Sequence, residues 1–180
     1  MIDDNLIEQL KAFIRECYEL AEKPAQRKLP FFLSGMRPEK KIKDIGPGHT
    51  FEGLADSLSG FIEKNRKTDT FSTLLDRLRN EKGMTPAQLY NDAWIKKQLY
   101  SKIMGERNYH PSKNTAISFG LSLRLNQESM DELLESAGYR FSNSSIFDLV
   151  ILFCLNNGVY NLHDVNALLL SVDQKVLCRE

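Results

Sequence analysis

The segment Thr85–Ile103 constrains this chain more than any other, because it holds two short helical patterns joined by a very tight turn. Thr85-Pro86 sets a capping hydroxyl before a proline at the first helical turn, where a missing N–H costs nothing. Leu89, Ala93, Ile95, Tyr100 and Ile103 are then expected to face one core. Lys96, Lys97, Gln98, Ser101 and Lys102 fall on the outward side of the second pattern, which runs from Lys96 to about Met104.

The flanking sequence supplies neighbours of the same kind. Phe71, Leu74, Leu75 and Leu78 predict a helix over 70–82, ended by the C-cap pair Lys82-Gly83. Ser112 caps a further helix bearing Ala116, Ile117, Phe119, Gly120, Leu121 and Leu123. Another helix over 127–136 presents Met130, Leu133 and Leu134 and closes at Ala137-Gly138-Tyr139. Residues 144–156 are apolar nearly all round and predict a buried helix, and Asn161 with Asp164 resembles a cap for 162–171.

Towards the N-terminus, Leu6, Leu10, Phe13, Ile14, Cys17 and Leu20 form one stripe over 4–22, with Asp3 or Asp4 as its cap. A second helix is expected over 51–64, capped by Thr50, with Phe51, Leu54, Leu58, Phe61 and Ile62 inward. The prolines and glycines between Pro24 and Gly48 make the intervening stretch a long basic arm, read as solvated. Strand-like alternation is scarce. The expected fold is all-α: a five-helix core, two C-terminal helices and an N-terminal helical extension. The expected division is 1–66 and 67–180. The C-terminal pair either caps the core or supplies a dimer surface.

Composition narrows the function classes. Lys plus Arg and Asp plus Glu number 24 each, which argues against a non-specific DNA coat but not against a reader with one basic face. The balance is uneven, with a net of −4 over 1–22 and +4 over 24–45. Cys17, Cys154 and Cys178 are far apart and form no CxxC or Cys/His cluster, so neither a disulfide framework nor a metal site is expected. The acidic N-terminus is unlike a signal peptide, and the apolar run Leu149 to Leu155 is too short to span a bilayer. A cytoplasmic protein with no membrane partner is expected. No catalytic constellation or cofactor motif emerges. Asp131, Glu132 and Glu135 lack a partner histidine, and the serines of 142–145 lie in no nucleophile elbow. Pro47 spoils Gly46-Pro47-Gly48 as a phosphate loop. His49, His110 and His163 read as surface polar residues, and Trp94 as core.

Short helices in this order, with the second and third tightly joined, form a helix-turn-helix, whose second member enters the major groove of duplex DNA. Lysine suits phosphate or guanine, Gln98 a bidentate contact to adenine, and Ser101 either base edges or phosphate. With Arg107 and Lys113 added, the segment from Thr85 to Lys113 carries a local net of +3.

Ser101-Lys102-Ile103, Gly105, Pro111-Ser112, Leu121, Leu123, Leu125 and Leu133-Leu134 resemble, in type and spacing, the repressor-like (Xre/Cro) family over about 70–139. That resemblance implies a DNA-binding transcriptional regulator acting as a dimer through Lys96, Lys97, Gln98, Ser101, Lys102, Arg107 and Lys113. A narrower resemblance runs from KGMTPAQLYNDAWIKKQLYSKI through HPSKNTA, ESAGY, SNSSIFDLVI and NNGVYNLHDVNALL. It is to an uncharacterised bacterial helical module, found alone or appended to macro-domain proteins, and it implies fold rather than activity. The chain departs from the repressor pattern in its longer loop at Arg107–His110, in Tyr90-Asn91-Asp92, and in Trp94 at the turn. These departures and the neutral charge open a second reading: a non-enzymatic protein–protein adaptor on the same scaffold, in phage defence or toxin control.

Overall fold

Hydrogen bonding at the helix ends explains why this chain breaks into so many short helices. The computed structural model describes residues 4–22, 51–65, 70–106 and 109–177, and every regular element among them is an α-helix. In chain order these are α1 (Asp4–Glu22), α2 (Phe51–Asn65), α3 (Phe71–Glu81), α4 (Pro86–Asp92), α5 (Lys97–Gly105), α6 (Lys113–Ser122), α7 (Gln127–Ser136), α8 (Ile146–Asn156) and α9 (Leu162–Ser171). Thr70, Thr85, Ser112, Asn126, Ser145 and Asn161 precede α3, α4, α6, α7, α8 and α9. The side-chain oxygen of each accepts a first-turn amide.

The same six helices end alike. The amides of Met84, Ile95, Leu125, Tyr139, Val159 and Gln174 each donate to the carbonyl five residues back, the six-to-one bond of a Schellman motif. The residue before each of these takes a positive φ: Gly83, Gly138 and Gly158 in three cases, Trp94, Arg124 and Asp173 in the others. Ile95 and Leu125, which follow two of those positions, are buried. Those two turns therefore double as pieces of core.

Packing builds on α6, in which Thr115 through Leu121 are all buried. α6 packs on α4 and α7, while α3 packs on α5 and α7, and α4 on α5. The Phe119 ring lies 6.5 Å from Phe71 and 6.1 Å from Tyr100, joining three helices. Gly120 permits a close approach of α7, since a Cβ there would stand 2.3 Å from the Met130 sulfur. As expected from its sequence, α8 is buried, from Asp148 through Leu155.

Two expectations need correction. The chain divides into one unit of Met1–Glu22 with Asp69–Glu180 and another of Lys23–Thr68, so the first helix does not stay with residues up to 66. α1 packs on α8 and α9, with Leu10 fully buried and the Phe13 ring 5.7 Å from Phe153. The reason is demand for cover. α8 is apolar on nearly every side, and α7, α9 and α1 pack around it. Leu58, Phe61 and Ile62 of α2, expected inward, are exposed. An amphipathic stripe identifies a helix but does not provide a surface to meet it, and no other helix is described in that unit. The arm 27–43, His49, Thr50 and Cys178 lie outside the described residues. Among those described, no helix is long and apolar enough to cross a membrane.

Burial gives α8 a pH signature. The Cys154 thiol is pushed up to about 12 by desolvation, reinforced by the nearby Asp164 carboxylate. The unfolded chain, with an ordinary thiol near 8.5, ionises first, so stability is unaffected below that pH and falls as pH rises towards 12. The slope is at most about 1.4 kcal/mol per pH unit. Tyr100 is raised too, chiefly by burial against an opposing Arg79, and acts in the same direction. Urea titrations above pH 9 are expected to show the loss, and Cys154→Ser should flatten it. An unchanged alkaline slope in that variant would count against the assignment.

Candidate nucleic-acid interface

α4 and α5 are placed from behind by a small polar cluster. The Arg79 guanidinium of α3 donates to Asp76 at 2.6 Å and to the Met84 carbonyl at 2.8 Å, just ahead of the Thr85 cap. Thr85 and Gln88 close a full capping box, with the Thr85 amide donating to the Gln88 oxygen at 2.8 Å. The turn 93–96 then returns the chain into α5, with Ala93 and Ile95 buried. Tyr100 and Ile103 anchor α5 to the core, Tyr100 with its ring 5.6 Å from that of Tyr90. All five inward positions expected between Leu89 and Ile103 are buried.

The outward face follows from that anchoring. Lys97 and Ser101 are one turn apart, as are Gln98 and Lys102, and all four are exposed beside Lys96. The ammonium of Lys102 lies 4.9 Å from the centre of the Tyr109 ring, a cation–π contact that orients it. The side chains of the others make no hydrogen bond or ion pair to a described residue.

α5 breaks both rules that its neighbours obey. Its N-cap is Lys96, which makes no side-chain cap bond, and its C-cap Glu106 leaves in extended conformation. First-turn amides therefore stay without an internal partner, at the positive end of the helix dipole. Lys96 and Lys97 add two cations there, each unfavourable by roughly 0.3–1 kcal/mol in isolation. The arrangement favours an anion at that end.

Lys113 is a correction to the expected contact set. Its ammonium is 2.6 Å from Asp148 and donates at 2.8 Å to the Arg140 carbonyl, beneath the Phe141 ring. Asp148, buried at the head of α8, also accepts the Ser142 amide at 2.8 Å. Lys113 thus fastens α6 to α8 and is not available as a phosphate ligand. Arg107 lies outside the described residues. Asp148 escaped notice because an acid in an apolar helix carries no local sign of its partner 35 positions away.

A second feature was also missed. A cavity of about 320 Å³ opens where the ends of α4 and α6 meet the start of α9, lined in part by Asp92, Trp94, Leu121, Arg124, Tyr160 and His163. Trp94 is half-buried there, packed against the edge of the core, with its ring 4.5 Å from that of His163 and edge-on, so it also forms a wall of the cavity. The legible signal was the pattern of a helix end, one residue, then an apolar residue, which marks both Trp94 and Arg124 as left-handed positions. Arg124 has φ 50°, and a Cβ in that region is strained relative to glycine. Arg124→Gly is accordingly expected to raise stability by about 0.5–1 kcal/mol in denaturant titrations. A loss of stability would mean that the arginine side chain holds the turn.

Among the described residues no group of His, Cys, Asp and Glu could hold a metal ion. No family model, curated protein or solved structure matches the chain.

Proposed function

We propose that α3–α7 form a repressor-like helix-turn-helix core and that α5 binds duplex DNA, as in a transcriptional regulator. One observation carries this reading: α5 alone, among the seven helices from Phe71 to Ser171, has an uncapped N-terminus, and it carries Lys96 and Lys97 at that end. Phosphate would satisfy the open amides and both ammonium groups together. Gln98 and Ser101 stand one and four positions beyond Lys97 on the same exposed side of α5, where base edges would be met. The surface around it favours a polar partner over an apolar one. Leu170 is the one exposed large apolar side chain among the described residues of that unit, far short of the patch an obligate protein interface presents.

Salt dependence tests the reading. If Lys96, Lys97 and Lys102 each neutralise one phosphate, the logarithm of the binding constant should fall with log salt at a slope of about −2.7 per copy. Lys97→Glu with Lys102→Glu should weaken binding by at least about 100-fold without loss of helicity, whereas Lys175→Glu should leave it unchanged. Failure of the wild-type chain to bind duplex at low salt, or an unaffected double variant, would end the proposal.

A further inference from the structure

We propose that the cavity between the ends of α4 and α6 and the start of α9 is a binding site for a small zwitterion with an apolar or aromatic body, of the kind a free amino acid presents. It is independent of any role of α5. Leu121 and Leu162 lie buried behind the cavity, and Asn91, Ser122 and Asn161 add polar groups to its lining, so apolar contact is left to the two rings. Trp94 and Tyr160 are half-buried rings that form walls. At about 320 Å³ the space suits a molecule of about a dozen heavy atoms and lies at the small end of known ligand sites.

Charge at the rim selects the head group. Arg124 and Asp92 both line the cavity and are exposed, and neither makes an ion pair or side-chain hydrogen bond with a described residue. A guanidinium presents a fork that matches a carboxylate with two parallel hydrogen bonds. The Asp92 carboxylate accepts from an ammonium group. One positive and one negative side chain call for a ligand with one charge of each sign, whereas a doubly charged phosphate would be repelled by Asp92. The first turn of α9 is not the recognition element, because the Asn161 side chain already accepts the His163 amide at 2.9 Å.

Among the described residues six helix ends take a left-handed residue, and glycine fills three of them. Two of the three exceptions, Trp94 and Arg124, stand in this one wall. Side chains kept where glycine would be easier, and gathered round one cavity, are what a binding site requires.

The chain contains a single tryptophan, so its emission reports on this wall alone. L-Phenylalanine, which does not absorb at the red edge of tryptophan, is the probe. The full chain is expected to show a saturable emission change with Kd between roughly 10 µM and 1 mM, matched by calorimetry in case the emission does not respond. N-acetylphenylalanine lacks the ammonium and phenethylamine lacks the carboxylate, and each should bind at least about tenfold more weakly, a factor equal to one lost charge-assisted contact. Arg124→Gly should weaken phenylalanine by a similar factor but leave phenethylamine unchanged, with a melting temperature no lower than wild type. Asp92→Asn should weaken phenylalanine and spare N-acetylphenylalanine. No heat and no emission change up to about 10 mM phenylalanine, equal binding of the singly charged analogues, or tighter binding of adenosine monophosphate would each overturn the proposal.

Discussion

Replacing Phe119 by alanine is expected to destabilise the protein by about 4 kcal/mol. Phe119 is fully buried at the middle of α6, where the two neighbouring residues on each side are also buried. Its ring meets Phe71 of α3 and Tyr100 of α5 at centroid distances of 6.5 and 6.1 Å. Truncation removes the transfer free energy of the ring and leaves a cavity among helices that α6 itself holds apart, so collapse around it is restricted. For a chain of this size the melting temperature should fall by roughly 8–16 °C. Phe119→Leu should recover more than half of the loss in urea unfolding. A cost below about 1.5 kcal/mol for alanine would mean that α6 is not the centre of the packing.

The second large effect is electrostatic. Asp148→Ala is expected to cost about 3 kcal/mol, at the lower end for a broken buried pair because Lys113 retains partial access to water. The Lys113 ammonium would lose the 2.6 Å contact, and the Ser142 amide would lose its acceptor at 2.8 Å. Asp148→Asn should fall between, since it preserves an acceptor but not the charge. Lys113→Ala should also destabilise, and its effect combined with that of Asp148→Ala should be clearly less than additive. Strict additivity in that cycle would show that the two side chains act separately. The same cycle bears on the interface: Lys113→Ala is expected to change stability without lowering the salt slope of DNA binding.

Much of the helical framework was legible because its signals are local. Thr85, Ser112 and Asn161 announce helix starts by residue type, and Lys82-Gly83 and Ala137-Gly138-Tyr139 announce ends. The burial of Leu89, Ala93, Ile95, Tyr100 and Ile103, and the exposure of Lys97, Gln98, Ser101 and Lys102, follow from periodicity alone. Trp94 and Arg124 were harder to read. A left-handed residue that is not glycine breaks the rule by which such positions are found, although the apolar residue after each marks the place. Lys113 was misassigned for a related reason, since charge near a helix start looks the same whether it faces solvent or a buried acid.

What the sequence determined by itself was the set of helices, most of their ends, and the two faces of the pair that begins at Thr85. Each depends on hydrogen bonds and side-chain spacing within a turn or two, so its signal is local in the chain. Tertiary structure alone decided that α1 completes the cover of α8, that Lys113 belongs to Asp148, and that Trp94, Arg124 and Tyr160 surround one cavity. These join residues far apart in the chain, and local chemistry favours no particular partner at such distances. The choice falls to packing, which must enclose a nearly all-apolar helix and leave its one buried charge paired.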